Sequence, residues 1–189
     1  VFACVVGTRN NPLMATRAYI ALGSNRGDRR AQLSAALDAL RSLRGVLSVQ
    51  PAPIYETDPV GGPAEQGKFL NTAAAVNTDL TAEQLLEKLN QIEADRGRDR
   101  NAETERCGPR TLDLDILLFG DEIITPESSS DTRHPIPDTR KSDLIVPHPR
   151  MHQRDFVLRP LNDIAPDVIH PVLKRTIRDL LTALEVPTP

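Results

Sequence analysis

Hydrophobic positions in this chain switch between a period of two and a period of 3.6, and the switches mark its elements. Ala18-Tyr19-Ile20-Ala21-Leu22 is a short apolar run stopped by Gly23-Ser24-Asn25, the pattern of a buried strand. Leu33, Leu37, Leu40 and Leu43 then recur at helical spacing, with arginines on the opposite face and Gly45 as the stop. Residues 46–56 alternate loosely. Pro51 and Pro53 remove ladder donors there, so this second strand is expected at a sheet edge or across a bulge. After the turn-rich segment 57–63, residues 69–77 alternate again. Leu70, Thr72, Ala74 and Val76 share one face; Phe69, Asn71, Ala73 and Ala75 share the other, whose small residues leave room beside the strand. Thr81-Ala82-Glu83-Gln84 is a capping box opening a helix with Leu85, Leu89 and Ile92 inward, and Gly97 closes it. The last strand of the series runs through Leu112-Asp113-Leu114-Asp115-Ile116 into the apolar Leu117-Leu118-Phe119.

Strand, helix, strand, strand, helix, strand is the ferredoxin-like βαββαβ order. It predicts an α+β fold, an antiparallel sheet with helices on one face, followed by a C-terminal extension. That order carries no function by itself. In the extension, residues 144–149 re-enter the body, and 176–185 form a final amphipathic helix with Ile177, Leu180, Leu181 and Leu184 facing in. The polar, proline-punctuated segment 121–143 reads as a long flexible loop. Residues 1–16 read as a flexible N-terminal extension, with Met14 a candidate translation start, and 17–189 as a single domain.

Composition narrows the function classes. The net charge of −3 argues against a nucleic-acid binder, which needs a basic face, so any cationic patch must be local. No apolar run reaches membrane-spanning length, and the apolar residues 1–7 lack the basic start of a signal peptide. Cys4 and Cys107 form neither a metal-ligand spacing nor a disulfide framework, which fits a reducing cytoplasm. Aromatics are scarce, two Tyr and four Phe with no Trp, so an aromatic in a polar setting stands out.

Chemistry concentrates around Asp113 and Asp115. On a strand they point to one face, with Cα atoms about 6.6–7 Å apart, while Leu112, Leu114 and Ile116 point to the other. That spacing suits a pair of divalent cations about 3.5–4 Å apart. A bare Asp-x-Asp is more often an edge strand with a solvated acidic face, and its company changes the reading. Arg96, Arg98, Arg100, Arg106 and Arg110 precede it, and planar guanidinium forks suit phosphate oxygens. Downstream, Pro147-His148-Pro149 is followed by Arg154 and Phe156, the latter either a hydrophobic anchor or a stacking platform for a planar ring. Gly23-Ser24-Asn25 lacks the glycine and lysine spacing of a P-loop, so a bound nucleotide would be held through metals and arginines.

The segments 18–25, Phe69-Leu70-Asn71, Gly108-Pro109-Arg110-Thr111-Leu112-Asp113-Leu114-Asp115, and Pro147-His148 through Arg154-Asp155-Phe156 together resemble the 6-hydroxymethyl-7,8-dihydropterin pyrophosphokinase family of folate biosynthesis. The resemblance spans about residues 18–169, with the aspartate segment its most specific part. It implies transfer of pyrophosphate from ATP to the pterin hydroxymethyl group, releasing AMP. Asp113 and Asp115 would hold two Mg²⁺ ions, with Arg98 and Arg110 also catalytic. Arg98, Arg100, Arg110, Ile116, His148 and Arg154 would contact ATP. Phe69 and Phe156 would sandwich the pterin, Asn71 would hydrogen-bond it, and Thr57, Asp58, Val60 and Asp113 would complete its pocket. A cytoplasmic monomer without membrane or nucleic-acid partners is expected, and no side-chain general base is identified.

Three departures from the family pattern stand out. Cys107 replaces a usual tryptophan, Asp58 replaces a common second proline, and the segments 101–105 and 121–143 are longer than usual. Two other readings remain open at this level: another Asp-x-Asp transferase acting on nucleotides or sugars, and a ferredoxin-like binding module without catalysis.

Overall fold

The computed structural model describes residues 15–63, 65–98, 108–125 and 144–185. In chain order the elements are β1 (Thr16–Ser24), α1 (Arg29–Ser42), β2 (Val46–Pro51), β3 (Tyr55–Thr57), β4 (Phe69–Thr78), α2 (Ala82–Asp95), β5 (Asp113–Phe119), a 3-10 turn at Met151–Gln153, α3 (Asp155–Ile164) and α4 (Ile177–Glu185). The strands form an antiparallel sheet in the order β2–β4–β1–β5, with β3 also paired to β4. This is the expected α+β arrangement.

The segment 46–56 is the interrupted edge strand its prolines foretold. Pro51 ends β2 opposite Ala74, and β3 resumes with Tyr55 opposite Asn71. A register shift between Val46 and Ser48 adds a bulge at the far end. The strand stop expected at Gly23 is not one. β1 continues through Gly23 and Ser24 because both residues keep pairing with β4. The helix signals hold: Thr81 and Gln84 cap α2 reciprocally, and Gly97, at φ +82°, follows its end.

Each face of the sheet is covered. Ile20, Leu22, Leu70, Val76, Leu114 and Ile116 pack against Leu33, Leu37 and Leu40 of α1 and Leu85, Leu89 and Ile92 of α2. These are the inward positions read from the helical spacing. The C-terminal extension supplies the other layer. There Tyr19, Ala73, Ala75, Leu117 and Leu118 lie under Val157, Leu158 and Leu161 of α3 and Ile177 and Leu180 of α4.

α3 went unread in the sequence. Pro160 sits inside it and costs a helix hydrogen bond. Burial of the apolar stripe against the small residues of β4 outweighs that cost. A bulge in β5 serves the same layer: Tyr19 faces Leu118 while Ile20 faces Ile116, which leaves Leu117 extra. Leu117 and Leu118 therefore both enter the α3/α4 core.

Ile124 and Val146 exchange backbone hydrogen bonds at 2.8 and 3.0 Å, so residues 121–125 belong to the folded body. Residues 126–143 of the expected loop lie outside the described residues, as do residues 1–14, Arg100, Arg106 and Cys107. Thr16, within the expected N-terminal extension, already pairs with Thr78. Among the described residues, no helix is long and apolar enough to cross a membrane.

Candidate active site

Strand register creates the site. Gly23 of β1 stands between Asn71 of β4 and Asp113 of β5, and Ala21 stands between Ala73 and Asp115. Side chains in one such row share a face, so an amide, a glycine and a carboxylate line up across three strands. Gly23 is the floor of the row: a β-carbon there would lie 2.9 Å from Asn71 Oδ1. With no side chain at that point, a cavity of about 290 Å³ opens above the sheet.

Most residues singled out in the sequence converge on this cavity. Thr57, Asp58, Val60, Phe69, Asn71 and Phe156 line it. So do Arg98, Arg110, Asp113, Asp115, His148 and Arg154. Ile116 does not. Its side chain is buried in the α1/α2 core on the opposite face of β5, as the strand alternation from Asp115 requires. Arg100 lies outside the described residues.

Asn71 Nδ2 donates to Thr57 Oγ1 at 2.8 Å, which holds the amide with Oδ1 over Gly23. Phe156 lies in the first turn of α3, and the Arg154 guanidinium lies 5.6 Å from the centre of its ring. The positive end of the α3 dipole thus borders the cavity.

The carboxylates form a graded set. Asp113 Oδ1 accepts from Arg98 Nη1 at 2.6 Å, and its Oδ2 accepts from Arg110 Nη1 at 2.9 Å. Burial alone would raise the Asp113 carboxyl, but Arg110 and Arg98 oppose it through charge and hydrogen bonds and hold it below its ordinary value. Among the described residues, Asp115 has no such pair of donors. Burial, reinforced by the negative charges of Asp113 and Glu93, pushes it up to about 6. His148 is shifted the other way, down to about 4, by burial and by the charges of Arg154 and Arg150. Its Nδ1 accepts from the Arg150 N–H at 3.2 Å, so the neutral ring carries its proton on Nε2, where it can donate to an anion.

Two residues of the site escaped sequence reasoning. Glu93 on α2, 1% exposed, accepts from Arg98 Nη1 and from the Leu114 N–H, the latter at 2.7 Å. It fixes the arginine that reaches Asp113. The available signal was its spacing: it follows Leu89 by four residues, placing an acid on the inward stripe. Asn25, read as part of a strand stop, instead bonds the backbone of Arg110. Only its polar character at the end of a buried strand hinted at this.

Among the described residues, no three His, Cys, Asp or Glu side chains gather as a metal cage. Mg²⁺ does not need one, because it keeps several waters and takes phosphate oxygens alongside one or two carboxylates. Asp113 and Asp115 offer that donor set. The raised proton affinity of Asp115, driven partly by adjacent negative charge, is what a nearby cation would relieve. The residues present therefore fit such an ion.

Fold and cleft together define a ferredoxin-like α+β protein with a carboxylate and arginine site beside an aromatic slot. Residues 19–166 match the model of the 7,8-dihydro-6-hydroxymethylpterin-pyrophosphokinase (HPPK) family, and the chain belongs to that family. It is 44% identical to the 2-amino-4-hydroxy-6-hydroxymethyldihydropteridine pyrophosphokinase of Pseudomonas aeruginosa over 155 residues, 82% of this chain and 84% of that one. It is 46% identical to the protein of the same name from Bacillus subtilis over 151 residues, 80% of this chain and 79% of that one. Among solved structures, Plasmodium falciparum HPPK-DHPS with pteroate superposes with a TM-score of 0.64 at 16% identity. That match covers 94% of this chain and 43% of the other, and it speaks to fold alone.

Proposed function

We propose that this protein transfers the pyrophosphoryl group of ATP to the hydroxymethyl oxygen of 6-hydroxymethyl-7,8-dihydropterin, giving the pterin diphosphate and AMP in folate biosynthesis. One observation carries the reading: a single cavity holds both an aromatic and amide surface and an acidic, arginine-rich one. The names of the bacterial relatives support the same reaction.

Phe69 and Phe156 offer apolar faces for a flat ring, and stacking of this kind contributes about 0.5–1.5 kcal/mol beyond burial. Asn71, oriented by Thr57, presents an acceptor to the ring's N–H groups. Asp58 and Val60 border the same slot. On the phosphate side, Arg98, Arg110 and Arg154 supply charge-assisted donors, and His148 adds a neutral N–H. Arg100 belongs to the same proposed nucleotide set; Ile116 would contribute only through its main chain.

Two Mg²⁺ ions held by Asp113 and Asp115 would neutralise the triphosphate and polarise the β-phosphorus. The pterin hydroxymethyl oxygen attacks that phosphorus in line and gives up its proton to solvent, the bond from the β-phosphorus to the oxygen bridging it to the α-phosphorus breaks, and AMP leaves with the electron pair. The chain's own contribution is positioning: ring and phosphates are held so that the hydroxyl faces the bond to be broken. The setting proposed with it is a cytoplasmic monomer.

The test is AMP formation from ATP and Mg²⁺, with and without the pterin. Turnover is expected only with both. Asp115→Ala should abolish it while the circular dichroism spectrum is unchanged. Asn71→Ala should raise KM for the pterin by about tenfold or more, because it removes a hydrogen bond from a buried polar edge. AMP released equally fast without pterin would overturn the reading.

A further inference from the structure

Tyr55 and Asp163 tie together two elements that form different walls of the ring slot. Tyr55 opens β3 and donates its hydroxyl proton to Asp163 Oδ2, near the end of α3, at 2.7 Å. Neither lies among the described residues that line the cavity, yet each element continues into it. Tyr55 pairs with Asn71 and Thr57 with Phe69, so Tyr55 and Thr57 both project from the face that carries the slot. Thr57, about 6.6–7 Å further along the strand, is the residue that orients Asn71. On α3, Phe156 and Asp163 are separated by about two turns, or about 10 Å, so their side chains leave one face of the helix. Tie and slot therefore lie along the same seam between strand and helix.

Little else sets the height of β3 above that seam. The strand has three residues and, among the described residues, a single sheet neighbour, β4. Pro51 and Pro53 separate it from β2, and the turn-rich segment 57–63 follows it. On its other face, Glu56 is held by Arg29 Nη1 at 3.0 Å, which draws the strand toward α1. The Tyr55 hydroxyl opposes that pull and draws it toward α3. Phenylalanine at position 55 would fill the same space and leave the opposing pull unbalanced.

We propose that Tyr55 is a positioning residue: its hydrogen bond to Asp163 sets the separation of β3 from α3, and with it the width of the slot between the Thr57–Asn71 edge and Phe156. The inference rests on the proposed function for the identity of the flat ring that enters the slot.

Steady-state kinetics on the full chain, with each substrate varied in turn, test it. Tyr55→Phe removes one oxygen and keeps the ring. It should raise KM for the pterin by about three- to tenfold, the worth of one hydrogen bond, while KM for ATP and kcat stay within about twofold of wild type. Asp163→Ala should match it. Asp163→Asn, whose amide oxygen still accepts from the phenol, should keep KM for the pterin within about twofold of wild type. The double variant Tyr55→Phe/Asp163→Ala should be no worse than either single change, because both remove the same bond. An unchanged KM for the pterin in Tyr55→Phe and Asp163→Ala would overturn the inference. So would equal rises in KM for both substrates with a lowered melting temperature, or losses that multiply in the double variant. Failure of the wild type to form AMP with the pterin strikes the proposed function; normal wild-type turnover with KM unchanged in the variants strikes only the role of Tyr55.

Discussion

Asp113 and Asp115 lie two positions apart on one strand, yet they hold protons very differently. Burial raises both, and their neighbours separate them: two guanidiniums on Asp113, two carboxylates near Asp115. The folded Asp115 carboxyl, at about 6 against an ordinary 3.8, binds its proton more tightly than the unfolded chain does. Its contribution to stability is therefore complete below about pH 4 and is lost as pH rises through about 6, after which the ionised group weakens the fold. Asp115→Asn should stabilise the fold near pH 8 by about 1–2 kcal/mol after allowance for partial exposure, read as a higher melting temperature, and the gain should vanish near pH 4. A thermal melt series across that range reads it directly. His148 runs the other way. Its lowered value makes its contribution present above its ordinary 6.5 and progressively lost as pH falls toward about 4. The aspartates and arginines were legible in the sequence because they lie together along it, the arginines just ahead of the Asp-x-Asp pair. Glu93 and Asn25 were not, since their roles depend on partners 21 and 85 positions away.

At the scale of elements, β1 matters for the residue it leaves bare. Gly23 brings Asn71 and Asp113 into one row, and a methyl group there would crowd an amide that Thr57 already pins. Gly23→Ala should therefore raise KM for the pterin by about tenfold, with a smaller effect on KM for ATP, because the lost contact is one hydrogen bond. Steady-state kinetics with each substrate varied separates the two. Period and capping made β1, α1, β4, α2 and β5 readable, because each carries a continuous apolar stripe. The break between β2 and β3 was readable from its prolines. α3 was hidden for the opposite reason: its ten residues contain Pro160, and its opening residues looked like a binding motif before they looked like a helix.

In the whole molecule, one sheet serves two cores, and the site sits where the second core begins. α3 starts at the cavity with Phe156 and Val157 and continues into the α3/α4 layer with Leu158 and Leu161. Leu158 is fully buried. Leu158→Ala should cost about 2–4 kcal/mol in urea denaturation. It should also raise KM for the pterin, since the residue two positions before it forms one wall of the slot. The α1/α2 layer was legible from helical spacing, whereas the second layer depends on how a C-terminal extension folds back, which no local pattern specifies.

The sheet's margins carry one more consequence. On one side, prolines and a bulge interrupt the row of backbone donors along β2 and β3. On the other, the His148 N–H already caps Leu117 O of β5 at 2.9 Å. Among the described residues, neither border offers an unbroken ladder for a second chain to extend, an arrangement that works against edge-to-edge aggregation.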